Sequence, residues 1–187
     1  DPTRFNKTNC LFDRKKLLAF NTEHIKLLPV EKLLARYKDF LKVIGSPAAN
    51  ADDAVLKRIL KAAHGARTLA EIENKSRFLF IADDEIEYNQ QDAEKVLLKN
   101  NEGLQMLKIL KQRLAELTNV SEPTIEALLR SIAEQKQIGL GKVAQPLRVA
   151  ICGTTISLPI FESIDILGID AVVRRIERAI DKFSKSS

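Results

Sequence analysis

The stretch that decides the fold is Gly141-Lys-Val-Ala-Gln-Pro-Leu-Arg148-Val-Ala-Ile-Cys-Gly153, continued by Thr154-Thr155 and, further on, by Ile160-Phe161-Glu162 and Leu167-Gly168. By physical criteria it predicts a short helix, a Gly-Thr-Thr turn and a second helix. The composition of the whole chain agrees, because Leu, Ile, Ala, Lys and Glu dominate and only 5% of the residues are aromatic. These residue types favour helix over sheet.

Apolar stripes at helical spacing run through the first half of the chain. One stripe extends from Val30 to Ile44, with Pro29 suited to its start and Gly45 to its end. A second stripe extends over residues 55–63 and begins after Asp52 and Asp53. Thr68 and Glu71 have the spacing of a capping box, which opens a third helix.

The second half resumes the helical period after a break. Residues 82–89 are acidic and non-periodic, so we expect a linker there. Stripes then follow over residues 93–98, 104–117, 125–132 and 172–180, with Ser121 as an N-cap. The sequence therefore predicts an all-α protein of two consecutive helical bundles, residues 29–88 and 89–187, joined by a short acidic linker.

Charge and cysteine usage limit the functional classes. The 187 residues carry a net charge of +5 and have a pI of about 9.2, which mildly favours a polyanionic partner. Cys10 and Cys152 lie far apart in sequence and form no Cys-x-x-Cys pair, so the sequence predicts no zinc site. A reduced, cytoplasmic protein is the simpler expectation. We expect no bound metal and no secretory signal. We also expect no membrane helix, because no apolar run approaches the required ~20 residues.

We find no catalytic grouping in this sequence. It contains no P-loop and no Gly-x-Ser-x-Gly motif, and its two histidines are isolated. The carboxylates of residues 83–87 could hold a hard cation, but they lack the spacing of a calcium loop. A solvated acidic linker is the favoured interpretation.

Several motifs together resemble one family. The segment from Gly141 to Gly153 and the residues after it closely resemble the C-terminal anticodon-binding domain of bacterial glutamyl-tRNA synthetases, which are class I enzymes. Phe12-Asp13-Arg14-Lys15-Lys16-Leu17-Leu18, with Asn21 and Ile25 beyond it, is similar to the start of the helical half of those enzymes. Arg67-Thr68-Leu69 and Lys75-Ser-Arg-Phe-Leu-Phe80 follow in the same order and spacing, so the resemblance covers the chain from about Phe12 onward.

The resemblance implies a non-catalytic part of a larger enzyme. Residues 1–28 would be the end of the connection from the catalytic half, whose His-Ile-Gly-His and Lys-Met-Ser-Lys-Ser motifs are absent here. The parent protein would be a ligase that attaches glutamate to tRNA using ATP. This chain is then expected to be inactive alone and to need no cofactor, with ATP and Mg²⁺ bound by the catalytic half.

The resemblance also implies particular anticodon-reading residues. Arg148 would contact the first two anticodon bases, since a guanidinium can stack on an unstacked base and hydrogen-bond to its edge. Ser157 and Ile160 occupy the other matching positions, although many relatives have Pro where this chain has Leu158. The alternatives stay open: a surface arginine on an amphipathic helix, and a helix start with Ser157 as N-cap and Pro159 near N1.

Gly65 and Arg67 would face the third anticodon base. In glutamate-restricted members, a bulky arginine that excludes guanine stands about two residues before the position of Arg67. Gly65 would remove that filter and let the parent enzyme charge both glutamate and glutamine tRNAs. Two alternatives remain: Gly65 only ends a helix as a C′ glycine, or a one-residue slip lets Arg67 restore discrimination.

Lysines supply candidates for phosphate contacts. Lys108, Lys111 and Lys142 are our candidates, against the alternative that each lies on a solvated face. The predicted partner is thus glutamate tRNA, together with glutamine tRNA if Gly65 removes the filter. The alternative function is a helical protein-interaction module without RNA binding, because apolar stripes fit either class.

Overall fold

In the part of the chain that the computed structural model describes, residues 13–118 and 120–184, all regular structure is helical. The α-helices there are α1 Arg14–Leu27, α2 Val30–Val43, α3 Asp53–Ala62, α4 Leu69–Ser76, α5 Gln90–Ala93, α6 Glu102–Ala115, α7 Glu122–Gln135, α8 Leu140–Cys152, α9 Ile160–Leu167 and α10 Ile169–Ser184. Short 3-10 turns lie at Pro47–Asn50, Arg77–Phe80, Asp83–Glu85 and Lys99–Asn101, and a π turn at Glu94–Leu98. The all-α prediction is confirmed. Cys10 and Phe12 lie outside the described residues.

Local chemistry explains where the early helices begin and end. Pro29 is the N-cap of α2, and Gly45 follows the helix in the left-handed region at φ +60°. The Asp52 carboxylate caps α3 by accepting from the N–H of Ala54 at 2.7 Å. At α4 the Thr68 hydroxyl accepts from the N–H of Glu71 at 3.0 Å, as the capping box predicts.

The first hydrophobic core lies among α2, α3 and α4. Tyr37 is at its centre, where its hydroxyl lies 3.3 Å from the Ser76 hydroxyl, and burial raises the pKa of Tyr37 to about 12. The other large side chains of this core that are fully buried are Leu41, Leu56, Ile59 and Ile72.

The second core is larger and is built on α6, α8 and α10, with α7 and α9 packed around them. Its buried side chains recur every three or four residues along each helix, so the apolar stripes of the sequence predicted which residues are buried. Among them are Leu107, Leu110, Leu114, Ile125, Leu129, Leu147, Ile164, Val172 and Ile176.

The acidic segment 82–89 packs against α10. Ile86 is buried in the second core, and its carbonyl accepts a hydrogen bond from Arg178 at 2.8 Å. Asp83 is paired with both Arg174 and Arg175. Burial alone would raise the pKa of Asp83, but the two guanidinium groups outweigh it and lower the pKa. The domain bounds 29–88 and 89–187 stay a prediction.

No helix of residues 13–118 and 120–184 is both long enough and apolar enough to cross a membrane. The same residues contain no group of three or more histidine, cysteine, aspartate or glutamate side chains placed to hold a metal ion.

Candidate functional site

The turn between α8 and α9, residues 153–159, connects the two cores. Leu158 is only 1% exposed and belongs to the first core, although Ile160, two residues further on, belongs to the second. Its N–H donates to the carbonyl of Lys75 on α4 at 3.2 Å. At the start of the turn Gly153 has φ +81°, and a Cβ there would meet the carbonyl oxygen of Glu87 at 1.9 Å. The turn is therefore held against elements of both bundles.

Asp92 fixes the middle of this turn. Its carboxylate accepts from the Thr155 N–H at 2.8 Å and from the Thr155 hydroxyl at 3.0 Å. The next residue, Ile156, is 68% exposed and points an apolar side chain away from both cores. The turn thus presents one apolar residue to solvent from a rigid backbone.

Arg148 on α8 reaches across to the end of the turn. Its Nη1 donates to the carbonyl of Leu158 at 2.8 Å and to the hydroxyl of Ser157. Its Nε is buried and has no hydrogen-bond partner. Burial lowers the pKa of the Arg148 guanidinium, an effect only partly offset by the nearby Cys152. A buried donor without a partner carries a free-energy cost of ~1–3 kcal/mol, which a ligand acceptor would relieve.

Two cavities border the turn and share Lys75. The smaller, of about 250 Å³, is lined by Lys75, His64, Arg148, Ser157 and Pro159 among others. The larger, of about 550 Å³, lies between α4 and the start of the turn, and its lining includes Arg67, Asn74, Asn89, Asp92 and Ile156. The two linings offer cations, amides and several apolar side chains, together with the carboxylates of Glu71 and Asp92.

Glu71 positions the basic residues between these cavities. Its carboxylate accepts from Lys75 Nζ at 2.8 Å and from the backbone N–H of Arg67 at 3.0 Å. The hydrogen bond from Lys75, with that from Arg67, lowers the pKa of Glu71 to about 2. Arg67 itself is exposed, with Nε 3.4 Å from the same carboxylate.

Residues 32–180 match the family model described as an anticodon binding domain. This chain belongs to the anticodon-binding domain family. It is 33% identical over 181 residues to glutamate–tRNA ligase 2 of Caldicellulosiruptor saccharolyticus, an alignment that covers 96% of this chain and 37% of that protein. It is 36% identical over 172 residues to the glutamate–tRNA ligase of Thermus thermophilus, covering 91% and 35%. The chain therefore spans little more than a third of the length of these relatives.

A solved structure shares the fold of this anticodon-binding domain. The crystal structure of a glutamate tRNA ligase from Elizabethkingia meningosepticum superimposes with a TM-score of 0.76 at 22% identity. The match covers 97% of this chain and 35% of that one.

The structure brings together only some of the predicted anticodon-reading residues. Arg148 and Ser157 are in contact and line one cavity, whereas Ile160 is 5% exposed and packs in the second core. The exposed apolar residue of this region is Ile156. Our alternative for Ser157 as an N-cap is wrong: α9 begins at Ile160, Pro159 is its N-cap, and the Ser157 hydroxyl accepts from Arg148 instead.

Gly65 and Arg67 lie near the cavities but outside hydrogen-bond reach of the turn. Gly65 is exposed at φ +90°, two residues beyond the Ala63 C-cap of α3, so it is not the C′ residue that one of our alternatives named. A Cβ on Gly65 would meet nothing within 4 Å. The site thus has open space where the resemblance places a discriminating side chain.

The predicted phosphate contacts occupy different surroundings. Lys111 forms an ion pair with Glu177 at 2.8 Å, and Lys108 is exposed on α6. Lys142 instead lines a separate groove at the start of α8. Our sequence reasoning assigned no role to His64, Asn74 or Lys75, although Lys75 opens one of the quoted motifs. Only the fold shows that these residues face the turn.

Proposed function

We propose that this chain is the tRNA-binding part of a cytoplasmic glutamate–tRNA ligase and that it reads the anticodon loop of glutamate tRNA. The observation that carries the proposal is Arg148, which lines a cavity between the two cores and keeps a buried Nε without a partner. The family membership and the relatives support the same conclusion.

The geometry of Arg148 suits recognition of an unstacked base. Its Nη1 is held by the turn, so the guanidinium plane is fixed before any ligand arrives. A base that enters the cavity can contact the part of the Arg148 side chain that lines it and stack near Pro159. Little side-chain entropy remains to be lost on binding, which raises affinity for a given contact.

The coverage supports a division of roles within the parent enzyme. This chain spans little more than a third of the relatives, and we assign glutamate activation, ATP and Mg²⁺ to the residues that precede it in the relatives. This part would hold the anticodon loop while the acceptor end of the same tRNA reaches the active site. Linked contacts of this kind raise the effective concentration of the second site.

We further propose that the parent enzyme accepts glutamine tRNA as well. The open space above Gly65 offers no side chain that could exclude guanine at the third anticodon base. Arg67, whose backbone N–H and Nε are both held by Glu71, lies at a neighbouring cavity. We expect the parent enzyme to charge the two tRNAs at comparable rates. Strict rejection of glutamine tRNA would refute this second proposal.

A titration with two anticodon stem-loops tests the function directly. The RNAs differ only in cytosine or guanine at the third anticodon base, and a third stem-loop carries a scrambled loop. We expect both anticodon loops to bind more tightly than the scrambled loop, and Arg148→Ala to remove that preference. Equal binding of all three RNAs by the natural chain would refute anticodon reading.

A further inference from the structure

A second concave surface lies away from the turn, in a groove that we call the lysine groove. It has a volume of about 730 Å³ and is bounded by the π turn, the start of α6, the end of α7 and the start of α8. Its floor is apolar and its rim is basic. The floor is formed by Val96, Met106, Ile109, Ile138 and Pro146, and the rim by Lys95, Lys99, Lys136 and Lys142.

The charge of the rim is not neutralised within the described part of the chain. None of the four lysines forms an ion pair there, whereas Lys38, Lys57 and Lys75 each do. The one carboxylate in the lining is Glu102, so the groove carries four positive charges against one negative. All four lysines are exposed, which leaves their ammonium groups free to move toward a ligand.

Left-handed residues lie at and beside the groove. Asn100, Asn101 and Gln137 adopt this conformation at φ 53°, 60° and 54°. Asn100 lines the groove, whereas Asn101 is the N-cap of α6 and Gln137 follows the C-cap of α7. Gly103 lets the groove wall close, because a Cβ there would meet the Val96 carbonyl at 2.1 Å.

One buried polar atom in the groove has no partner. The Oε1 of Gln145 is buried without a hydrogen bond, and Gln145 lies one helical turn before Arg148 on α8. A buried amide oxygen without a donor carries a free-energy cost, and a rotation of the Gln145 side chain, which lines the groove, would present this oxygen to a ligand there. The ribose 2′-hydroxyl is a donor that RNA carries beside every phosphate and DNA lacks.

From these features we infer that the lysine groove binds the RNA backbone next to the anticodon, with its lysines on phosphates and Gln145 on a ribose 2′-hydroxyl. The inference rests on the proposed function for its choice of ligand. It also assigns the phosphate contacts: Lys142 belongs to the groove with Lys95, Lys99 and Lys136, whereas Lys108 and Lys111 do not.

The salt dependence of RNA binding tests the lysines. Each phosphate contact contributes about 0.7–0.9 to the slope of log K against log salt, so changing Lys95, Lys99, Lys136 and Lys142 together to Gln should lower the slope by about 3. Between about 50 and about 200 mM salt, the affinity of the natural chain should then fall about 60-fold more than that of the variant. The control changes four other exposed lysines to Gln, namely Lys15, Lys16, Lys32 and Lys42, which form no ion pair with the described residues, and should leave the slope near that of the natural chain.

A 2′-deoxy stem-loop tests Gln145. The natural chain should prefer RNA, and Gln145→Met, which keeps the shape of the side chain, should reduce the RNA-to-DNA ratio of affinities. Protection of the four groove lysines from acetylation by bound RNA gives a readout that does not depend on affinity. Circular dichroism of each variant confirms that it is folded.

The outcomes separate the inference from the proposed function. Equal slopes for the groove and control variants would overturn the lysine groove, while a retained preference for the anticodon loop would leave the function standing. A lowered slope without any loop preference would support the groove and reject anticodon reading. Tight binding of cytidine monophosphate that competes with RNA would overturn the backbone assignment in favour of a small-anion site.

Discussion

Arg148 is the side chain on which the proposed anticodon recognition depends most. Its Nη1 is held by Ser157 and Leu158, while its Nε is buried without a partner among the described residues. An unpaired buried donor lowers the stability of the folded protein.

Ser157→Ala tests how firmly Arg148 is held. The change removes one of two acceptors of Nη1 and should destabilise the fold by about 1 kcal/mol. Anticodon stem-loop affinity should fall severalfold, because the guanidinium becomes less ordered. The control is Ser163→Ala on α9, which removes a buried hydroxyl that donates to the Pro159 carbonyl at 2.8 Å. A loss of RNA affinity as large in the control would show that the Ser157 effect is not local.

Gly65→Arg should make the chain reject RNA with guanine at the third anticodon base. The side chain has open space, but the backbone at φ +90° resists any Cβ, and the strain should cost ~1–2 kcal/mol. Gly65→Ala carries the same strain without the guanidinium and is the matched control. We expect only the arginine variant to reject the guanine loop in the stem-loop titration. Rejection by both variants would place the effect in the backbone.

At the scale of elements, buried cations and carboxylates fix how helices meet. Arg175 on α10 is 2% exposed and donates to the carbonyls of Phe78, Ile81 and Ile151 as well as to Asp83. It therefore ties α10 to the end of α8 and to the chain that leaves the first core. Buried charges of this type are tolerated only when every donor is satisfied.

Arg175→Met should destabilise the chain by about 3–5 kcal/mol, because it leaves three buried carbonyls without their donor and Asp83 with Arg174 alone. Arg174→Met is the matched control, since Arg174 pairs with the same carboxylate but is exposed. Its cost should stay below ~1 kcal/mol. Urea unfolding of the two variants makes the comparison, and similar midpoints would contradict the clamp role of Arg175.

Glu71 should make the stability of the α4 region depend on pH. Its pKa falls from 4.5 to about 2 on folding, so its contribution is present above about pH 4.5 and is lost as the pH falls toward 2. Glu71→Gln should therefore flatten the fall of the urea midpoint over this acid range. Glu134→Gln removes an exposed carboxylate of α7 that forms no ion pair with the described residues and serves as control. An unchanged acid slope in Glu71→Gln would contradict the assignment.

For the molecule as a whole, the decisive feature is that the second bundle places a residue inside the first core. Leu158 fills the first core from the turn, while Arg58 on α3 pairs with Glu162 at 2.8 Å and also with Asp165 on α9. These ion pairs are partly exposed and contribute little free energy, so the apolar contact of Leu158 contributes most to holding the bundles together.

Leu158→Ala should cost about 2–5 kcal/mol and also displace Ser157, so that stem-loop affinity falls. The matched control, Leu34→Ala, creates a cavity in the same core on α2 without touching the turn. Both variants should show lower thermal midpoints, and only Leu158→Ala should lose RNA affinity at a temperature where both are folded. Retained affinity in Leu158→Ala would show that the turn keeps its shape without that contact.

The sequence alone determined the helices and their caps, because these depend on residues three or four positions apart. Each of these features depends on neighbouring residues alone. Examples are the apolar stripe from Val30 to Ile44, the caps at Asp52 and Thr68, and the helix end at Gly45. The motif around Arg148 likewise placed the chain in its family. Sequence reasoning missed the π turn and the left-handed Asn100 and Asn101, since asparagine does not require that conformation.

Only the tertiary structure decided which side chains meet. Ile156 and Ile160 are both apolar and lie four residues apart, yet Ile160 is buried and Ile156 is exposed, because the direction of each side chain depends on where α9 packs. Other contacts also join residues that are far apart in sequence. Leu158 packs in the first core, Lys75 contacts the turn, and four lysines line one groove. Such contacts arise from the packing of whole helices, which no local pattern encodes.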